Sequence, residues 1–443
     1  MSGLPSGWIE VQLGEVADWG SGGTPKADIA DYYGGGIPWA VIGDLNDGPV
    51  GATTRTITDA GLSNSSAKMV DDHTVLVAMY GSIGKLGLPI IPMATNQAIA
   101  FARPKRDVVN RLYLFYYLMH ARRALATAGK GATQQNISQT VLKAWPIPLA
   151  PPAEQERIVA VIEEQFSRLD AGAAVLERVR LNLKWMRTAV QHQAINGIAM
   201  REYDRSPFGE VLCQPLRNGH SAKADPLGTV PVFTLTAVTL GDFSDRNIKM
   251  TAADPRRILD LWVQPGDILI ERSNTKELVG TARLYRGPSN VAIYPDLVIR
   301  ARVNDTVLPE YAELVLQSPE SRRHFQQHAQ GISGTMPKID QGVIERLPFP
   351  VPARGVQAAI VADTERCMTM FNVLEGEMAL AESRARSLRF SILDAAFSGK
   401  LVPQNPGDES ALVLRKRIAA ERTSTNSHKL VEVRRQRGAK ATA

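Results

Sequence analysis

The organisation of this chain is decided by the heptapeptide Thr133–Gln139 (TQQNISQ), which returns 202 residues later as Thr335–Gln341 (TMPKIDQ). The match continues without a gap, so that Trp145–Leu149 (WPIPL) corresponds to Leu347–Val351 (LPFPV). Earlier in each half the similarity is looser, as in the GEV tripeptides at 14–16 and 209–211. Self-similarity at a long, constant offset is typical of a duplicated architecture. Each half is therefore predicted to be a variable globular domain followed by a better-matched segment.

The better-matched segments are predicted to be long helices. Apolar residues recur every seven positions in the first segment, at Ile162, Leu169, Leu176, Leu183 and Val190. In the second they follow a three-four alternation, at Ile360, Cys367, Phe371, Leu374, Met378, Ala381, Leu388 and Ile392. Prolines precede each run, and Gly197 and Gly399 lie where C-terminal stops belong. This spacing indicates a coiled-coil seam, and the alternative is an ordinary amphipathic helix in a globular core.

The variable part of each half is predicted to have mixed secondary structure. Val75–Met79 and Gly266–Ile270 are typical of strands followed by polar turns, whereas Leu112–Leu118 and Tyr311–Leu316 are typical of helices. The predicted fold class is α+β, with two tandem globular domains separated by two long helices. The predicted boundaries are 1–150 for the first domain, 151–200 for the first helix, 201–352 for the second domain, 353–400 for the second helix and 401–443 for the C-terminal segment and basic tail.

Composition and charge narrow the class of protein. The 443 residues are 44% hydrophobic and 22% charged, which is ordinary globular usage, and two cysteines are too few for a disulfide framework or a zinc cluster. The net charge is +6, but residues 411–443 carry nine Lys/Arg and two Asp/Glu, so the rest of the chain is close to neutral. No apolar run predicts a membrane span, and residues 1–5 do not resemble a signal peptide. A reducing cytoplasm is the expected compartment.

Catalytic motifs are not recognisable in the sequence. Gly81–Leu86 lacks the glycine spacing and the Ser/Thr of a phosphate-binding loop, and Asn405–Gly407 is not the Asn-Pro-Pro-aromatic loop of adenine methyltransferases. Pro265–Asp267 followed by Glu271-Arg272 resembles a metal-dependent nuclease motif, but arginine stands where the catalytic lysine belongs. We therefore expect a binding protein without a catalytic site, a metal or a cofactor of its own.

Short motifs at the boundaries of these segments resemble a known family. They are Leu4–Trp8 (LPSGW), Gly14–Val16 (GEV), Gly23–Pro25 (GTP), Ile37–Trp39 (IPW), Pro151–Gln155 (PPAEQ) and Ala396–Gln404 (AFSGKLVPQ), which leads into Asp408–Ala411 (DESA). Together with the tandem layout, they closely resemble the specificity subunit of type I restriction-modification enzymes over about residues 4–422. Val356 departs from the family pattern, because it stands where the second junction between prolines and helix carries glutamate.

The resemblance implies two target-recognition domains, separated by two helices that pair as an antiparallel coiled coil. Each domain would recognise one half of a split, asymmetric double-stranded DNA target. The resemblance also implies docking of two modification subunits, which bring S-adenosylmethionine, and of restriction subunits that use ATP and Mg, in host defence based on DNA methylation. Two alternatives stay open: a self-contained DNA-modifying or nuclease subunit, and a coiled-coil adaptor that binds no nucleic acid.

Candidate DNA contacts lie on polar, glycine-rich loops, because Asn and Gln suit adenine whereas Arg and Lys suit guanine or phosphate. In the first half they are Thr24, Lys26, Tyr80, Ser82, Lys85, Asn96, Gln97, Lys130, Thr133, Gln134, Gln135 and Asn136. In the second half they are Lys223, Arg272, Ser273, Asn274, Lys276, Thr335 and Lys338. For every loop the alternative is turn chemistry, since Gly, Asn, Ser and Thr also close turns without any ligand.

Overall fold

The computed structural model describes residues 3–129, 136–196, 203, 205–331 and 336–416. Two compact units are present, one made of residues 1–174 with 380–443 and the other of residues 175–379. Within the described ranges, no helix is both long enough and apolar enough to cross a membrane.

The first unit is an α+β structure. Its strands are β1 (Ile9–Gln12), β2 (Ala17–Ser21), β3 (Tyr33–Ala40), β4 (Gly48–Val50), β5 (Thr56–Ile57), β6 (Met69–Val70), β7 (Val75–Ala78), β8 (Leu86–Pro89), β9 (Met93–Thr95), β10 (Ile99–Pro104) and β11 (Pro146–Leu149). Its helices are α1 (Leu13–Val16), α2 (Asp59–Ser63), α3 (Arg111–Ala128), α4 (Gln139–Ala144) and the first part of α5 (Pro152–Asn196). One sheet has the order β2-β10-β7-β8-β4, a second has the order β5-β3-β9-β6, and β1 pairs with β11. Helix α3 shares a hydrophobic core with β7 and β10.

The second unit repeats this plan in a reduced form. Its strands are β12 (Arg205–Pro207), β13 (Arg217–Asn218), β14 (Val230–Phe233), β15 (Ile248–Thr251), β16 (Ile268–Glu271), β17 (Ala282–Leu284), β18 (Val298–Ala301) and β19 (Pro348–Pro350). Its helices are α6 (Leu235–Leu240), α7 (Pro309–Gln317), α8 (Pro319–His328), α9 (Gln341–Glu345) and the first part of α10 (Arg354–Phe397). The main sheet has the order β13-β18-β16-β17, β14 pairs with β15, and β12 pairs with β19. The predicted α+β class and the predicted strands and helices are confirmed.

A buried tyrosine occupies the same place in each half. Tyr113 on α3 donates a hydrogen bond to the carbonyl of Pro148 at 2.7 Å, and Tyr311 on α7 donates to the carbonyl of Pro350 at 3.2 Å. Burial raises the pKa of both phenols, so they remain protonated donors at neutral pH. The tyrosines therefore tie the first long helix of each domain to the proline-rich strand that precedes its spacer helix.

A buried glutamine fixes the start of each spacer helix. The side chain of Gln155 donates to the carbonyl of Ala150 at 2.9 Å and accepts from the amide of Asn110 at 2.8 Å. In the second half Gln357 donates to the carbonyl of Pro352 at 2.8 Å and accepts from the amide of Leu308 at 2.8 Å. Buried polar groups require such partners, so the same junction is built twice although one copy has lost its neighbouring glutamate.

The spacer helices pair antiparallel within each unit. In the first unit Arg389 of α10 forms an ion pair with Asp170 of α5 and lies 4.8 Å from the ring centroid of Phe166. In the second unit the side chain of Arg187 of α5 donates to Asn372 of α10 at 2.6 Å. A late position on one helix thus meets an early position on the other, which confirms the coiled-coil prediction.

Fewer apolar residues are buried between the paired spacer helices than the sequence pattern predicts. The seven-residue row that includes Ile162 and Leu183 is buried or half-buried, as predicted. In contrast, Leu374 and Leu388, which follow the predicted alternation on α10, are exposed. The pairing of the two helices therefore buries only part of the predicted apolar alternation.

The glycine stop predicted for the second spacer helix is present. Helix α10 ends at Phe397, and Gly399 has φ +72°. The amide of Lys400 returns to the carbonyl of Ala395 at 2.8 Å, which is a helix-terminating bond. A Cβ atom at position 399 would lie 2.1 Å from the Pro5 side chain, so a larger residue would also displace the N-terminal segment. The matching Gly197 lies outside the described residues.

Candidate nucleic-acid interface

Two loops meet at the end of the central strand in each half. After β7, Tyr80 forms a β-bridge with Asn136. After β16, Ser273 forms the corresponding bridge with Lys338. Segments that lie far apart in sequence are therefore brought together in both domains, and each juxtaposition joins two predicted DNA contacts.

An arginine holds the loop after each central strand. Arg122 on α3 donates from Nε to the carbonyl of Gly84 at 2.7 Å and pairs with Asp47. Arg322 on α8 donates to the carbonyl of Val279 at 2.8 Å, and burial lowers the pKa of its guanidinium. Neither arginine is among the candidate contacts predicted from the sequence. Their contacts identify them as side chains that position the loops.

A hydroxyl and a longer polar side chain pair at the surface of the first domain. The Thr24 hydroxyl donates to the side-chain carbonyl of Gln97, and both residues are exposed. The pair depends on a close backbone approach, because the amide of Gly23 donates to the carbonyl of Thr95 at 2.9 Å. A Cβ atom at Gly22 would lie 1.9 Å from that carbonyl oxygen. Two predicted residues, Thr24 and Gln97, are thus brought into contact.

The second domain contains an equivalent pair that sequence reasoning missed. The amide of His220 donates to the carbonyl of Tyr294 at 3.0 Å, and the Ser221 hydroxyl donates to the carboxylate of Asp296. Gly219 takes the place of Gly22, since a Cβ atom there would lie 2.2 Å from the Tyr294 carbonyl oxygen. Asp296 lies 199 residues after Gln97 rather than 202, and it is a carboxylate rather than an amide, so motif matching does not find it.

Several candidate cations are free to meet solvent. Lys26, Lys223, Lys276 and Lys338 are exposed, whereas Lys85 and Arg272 are half-buried. The ammonium of Lys85 lies 3.5 Å from the carbonyl oxygen of Ile42, and the neighbouring Ser82 is exposed. Exposed lysines on loops suit contact with phosphate, which fixes the register of a protein on DNA without reading sequence.

Other candidates take part in turns. The Asn96 side chain accepts from the amide of Ala98 at 3.1 Å, and the Asn274 side chain donates to Glu271 at 2.7 Å. Ser273 is buried. These contacts match the turn chemistry that was the alternative for each loop, and the DNA-binding role of these residues stays a prediction.

The two carboxylates of the nuclease-like motif are engaged by neighbouring side chains. Asp267 is buried and pairs with Arg302. Glu271 is buried and accepts from Thr239 and Asn274, and burial raises its pKa despite these bonds. In the part of the chain that the structure describes, no group of three His, Cys, Asp or Glu side chains is arranged to hold a metal ion.

Some predicted contacts cannot be placed in either domain. Lys130, Thr133, Gln134, Gln135 and Thr335 lie outside the described residues, as does the basic tail from residue 417. They flank Asn136 and Lys338, which belong to the paired loops.

The fold therefore defines a class of tandem proteins in which two α+β domains with polar strand-end loops are each followed by a spacer helix. A family model described as the type I restriction modification DNA specificity domain matches residues 5–177. The chain is 26% identical to the specificity subunit of the type I restriction enzyme EcoKI of Escherichia coli K12, over 96% of this chain and 98% of that protein. It is 24% identical to the StySPI specificity subunit of Salmonella potsdam, over 96% and 98%.

Solved structures share this fold. A chain from a study of the assembly and conformational transition of a type I R-M system has a TM-score of 0.70 at 19% identity, covering 90% of this chain and 99% of that chain. The HsdS subunit of Thermoanaerobacter tengcongensis has a TM-score of 0.58 at 18% identity, covering 90% and 98%. Over most of its length the chain is therefore similar to type I restriction-modification specificity subunits.

Proposed function

We propose that this chain is the DNA sequence-specificity subunit of a type I restriction-modification complex. Its first domain binds one half of a bipartite, asymmetric double-stranded DNA target, and its second domain binds the other half. The observation that carries the proposal is the repetition of one loop arrangement: Tyr80 with Asn136 and Ser273 with Lys338 at the central strand ends.

The charge distribution supports recognition by local contacts. Apart from the basic tail the chain is nearly neutral, so a broad electrostatic attraction to phosphate does not dominate the binding. Exposed lysines such as Lys26 and Lys223 supply phosphate contacts beside amides and hydroxyls that read base edges. We propose that the remaining predicted residues in these loops act in the same interface.

We propose that two modification subunits dock on the spacer helices, and that restriction subunits join through them. The supporting observation is apolar surface on the second-unit part of α5, where Trp185 is 76% exposed and Leu181 and Met186 are also exposed. Val373 of α10 is exposed in the same unit. Large exposed apolar side chains on a helix are typical of an interface with another protein.

We propose that the catalytic reactions of the complex are carried out by its other subunits. S-adenosylmethionine would be held by the modification subunits, and ATP and Mg by the restriction subunits. The chain itself is a recognition subunit without catalysis. We place the complex in the cytoplasm, where Cys213 and Cys367, which form no disulfide in the structure, would stay reduced.

A domain exchange tests the proposed function. Residues 9–145 are replaced by the corresponding segment of a relative, and the complex with its modification subunits is produced in a host whose methylated sites are then mapped. We expect one half-site to change and the other to stay the same. A swap that alters both half-sites, or neither, contradicts the assignment of one domain to each half. A control complex without this chain should methylate no defined bipartite sequence.

A further inference from the structure

The two surface pairs of the recognition domains stand in equivalent places but differ in hydrogen-bonding chemistry. In the first domain the partner of the hydroxyl is an amide, Gln97, and in the second it is a carboxylate, Asp296. Both partners are exposed, and each hydroxyl is followed two residues later by an exposed lysine, Lys26 or Lys223. The duplicated fold thus presents one position twice with two different functional groups.

The difference matters because the two groups recognise different base edges. An amide both donates and accepts, so Gln97 suits the amino group and N7 of adenine. An ionised carboxylate only accepts. In the major groove it can pair with the exocyclic amino group of cytosine or adenine, whereas the groove edges of guanine and thymine on the same strand offer acceptors.

A carboxylate is also electrostatically unfavourable on a surface that meets DNA phosphate, because like charges repel. The positive charge of Lys223 offsets part of the repulsion between Asp296 and the DNA backbone. It does not explain why a carboxylate stands at this position. The Ser221 hydroxyl donates to one carboxylate oxygen, and the amide of Asp296 returns to that hydroxyl at 3.3 Å. These contacts hold the side chain in place and leave its second carboxylate oxygen to accept from a base.

Resting on the proposed function, we infer that Asp296 is a specificity-determining residue of the second domain. It accepts a hydrogen bond from the exocyclic amino group of cytosine or adenine on the strand it faces. It thereby excludes guanine and thymine at one position of the second half-site. Gln97 is its counterpart in the first domain and reads adenine.

The test is the methylation map of Asp296→Asn in the complete complex with its modification subunits. Asparagine keeps the shape and the oxygen that accepts from Ser221, so the loop stays in place, but its NH₂ group donates to acceptors. At one position of the second half-site, guanine and thymine should become acceptable. Methylation of such sites should rise about tenfold or more relative to wild type, because this is the discrimination that one base contact provides. The first half-site should stay unchanged. Gln97→Glu makes the reverse change, so the first-half position that reads adenine should also accept cytosine, whereas guanine and thymine stay excluded.

The matched control is Asp245→Asn, which neutralises an exposed carboxylate in a different loop of the same unit. It should leave every position of the target as in wild type. If the wild-type complex methylates a defined bipartite target and the Asp296→Asn complex methylates the same target, the inference is overturned and the proposed function stays intact. A wild-type complex that methylates no defined bipartite target overturns the proposed function instead.

Discussion

At the scale of single residues, the duplicated sequence predicts those residues that act through backbone geometry. Gly399 was predicted as a helix stop and has the left-handed φ that a stop requires. Gln155 belongs to the PPAEQ motif and Gln357 lies 202 residues later, and their side chains bind equivalent backbone groups. Asp296 could not be predicted, because its pairing with Ser221 depends on a tertiary contact and its side chain differs from that of Gln97.

The junction glutamine gives the first prediction. In Gln357→Ala the carbonyls of Thr306 and Pro352 and the amide of Leu308 lose their partner in a fully buried site. Leaving buried polar groups unpaired should lower the free energy of unfolding by about 1–3 kcal/mol. Urea denaturation followed by circular dichroism measures the change. The control Gln327→Ala removes an exposed amide in the same unit and should leave the midpoint unchanged, and equal midpoints for both variants would contradict the role of the junction.

The buried carboxylate Glu271 gives a prediction about pH. Burial raises its pKa above the ordinary value, so the folded state holds this proton to a higher pH than the unfolded state does. Stability due to this group is therefore lost as pH rises from the unfolded pKa through the folded pKa. Glu271→Gln lacks this titration. Its free energy of unfolding relative to wild type should increase as the pH rises through and above the ordinary glutamate pKa of about 4.3.

Denaturation curves at several pH values measure that difference. The exposed Glu365 provides the control Glu365→Gln, for which the difference from wild type should stay nearly constant over the same range. A constant difference for Glu271→Gln as well would show that burial does not raise the pKa of Glu271 in the folded state.

At the scale of elements, the repeat predicted where the spacer helices begin and end but not which of their apolar residues face each other. Leu183 lies in the buried seam, whereas Leu374 belongs to the same kind of pattern and is exposed. Heptad spacing identifies apolar positions on one face of a helix. It does not distinguish cover by the partner helix from cover by another subunit.

The uncovered apolar positions predict a partner interface. The double variant Leu181→Ser with Trp185→Ser should weaken binding of the modification subunit at least tenfold, because such aromatic anchors dominate interface energies. Co-purification with that subunit, or titration by calorimetry, measures the loss. Circular dichroism should show a folded chain, since both side chains are exposed. The control Leu259→Ser removes a side chain that is 77% exposed elsewhere in the same unit and should bind as wild type does; equal binding by the double variant would locate the interface elsewhere.

At the scale of the whole molecule, the proposed function requires that two half-sites be read at a fixed separation, and the spacer helices are the elements suited to set it. Helix α5 has 45 residues, so at about 1.5 Å per residue it is roughly 68 Å long. One turn of DNA is about 34–36 Å. A helix of this length is sufficient to separate two recognition domains by a turn of DNA, and pairing with α10 within each unit stiffens it. The separation would then follow helix length rather than any base contact.

An insertion of four residues after Arg178 tests this. It adds about one helical turn and nearly preserves the phase of the seam. The added rise of about 6 Å corresponds to nearly two base pairs, so we expect unchanged half-sites separated by a longer gap. Methylation mapping of the insertion complex reads the gap directly. A four-residue insertion between Gly287 and Pro288, in a connection of the second domain, is the control and should keep the original gap. An active α5 insertion that also keeps the original gap would show that another part of the complex sets the distance, because the helix would then have lengthened without moving the recognition domains along the DNA.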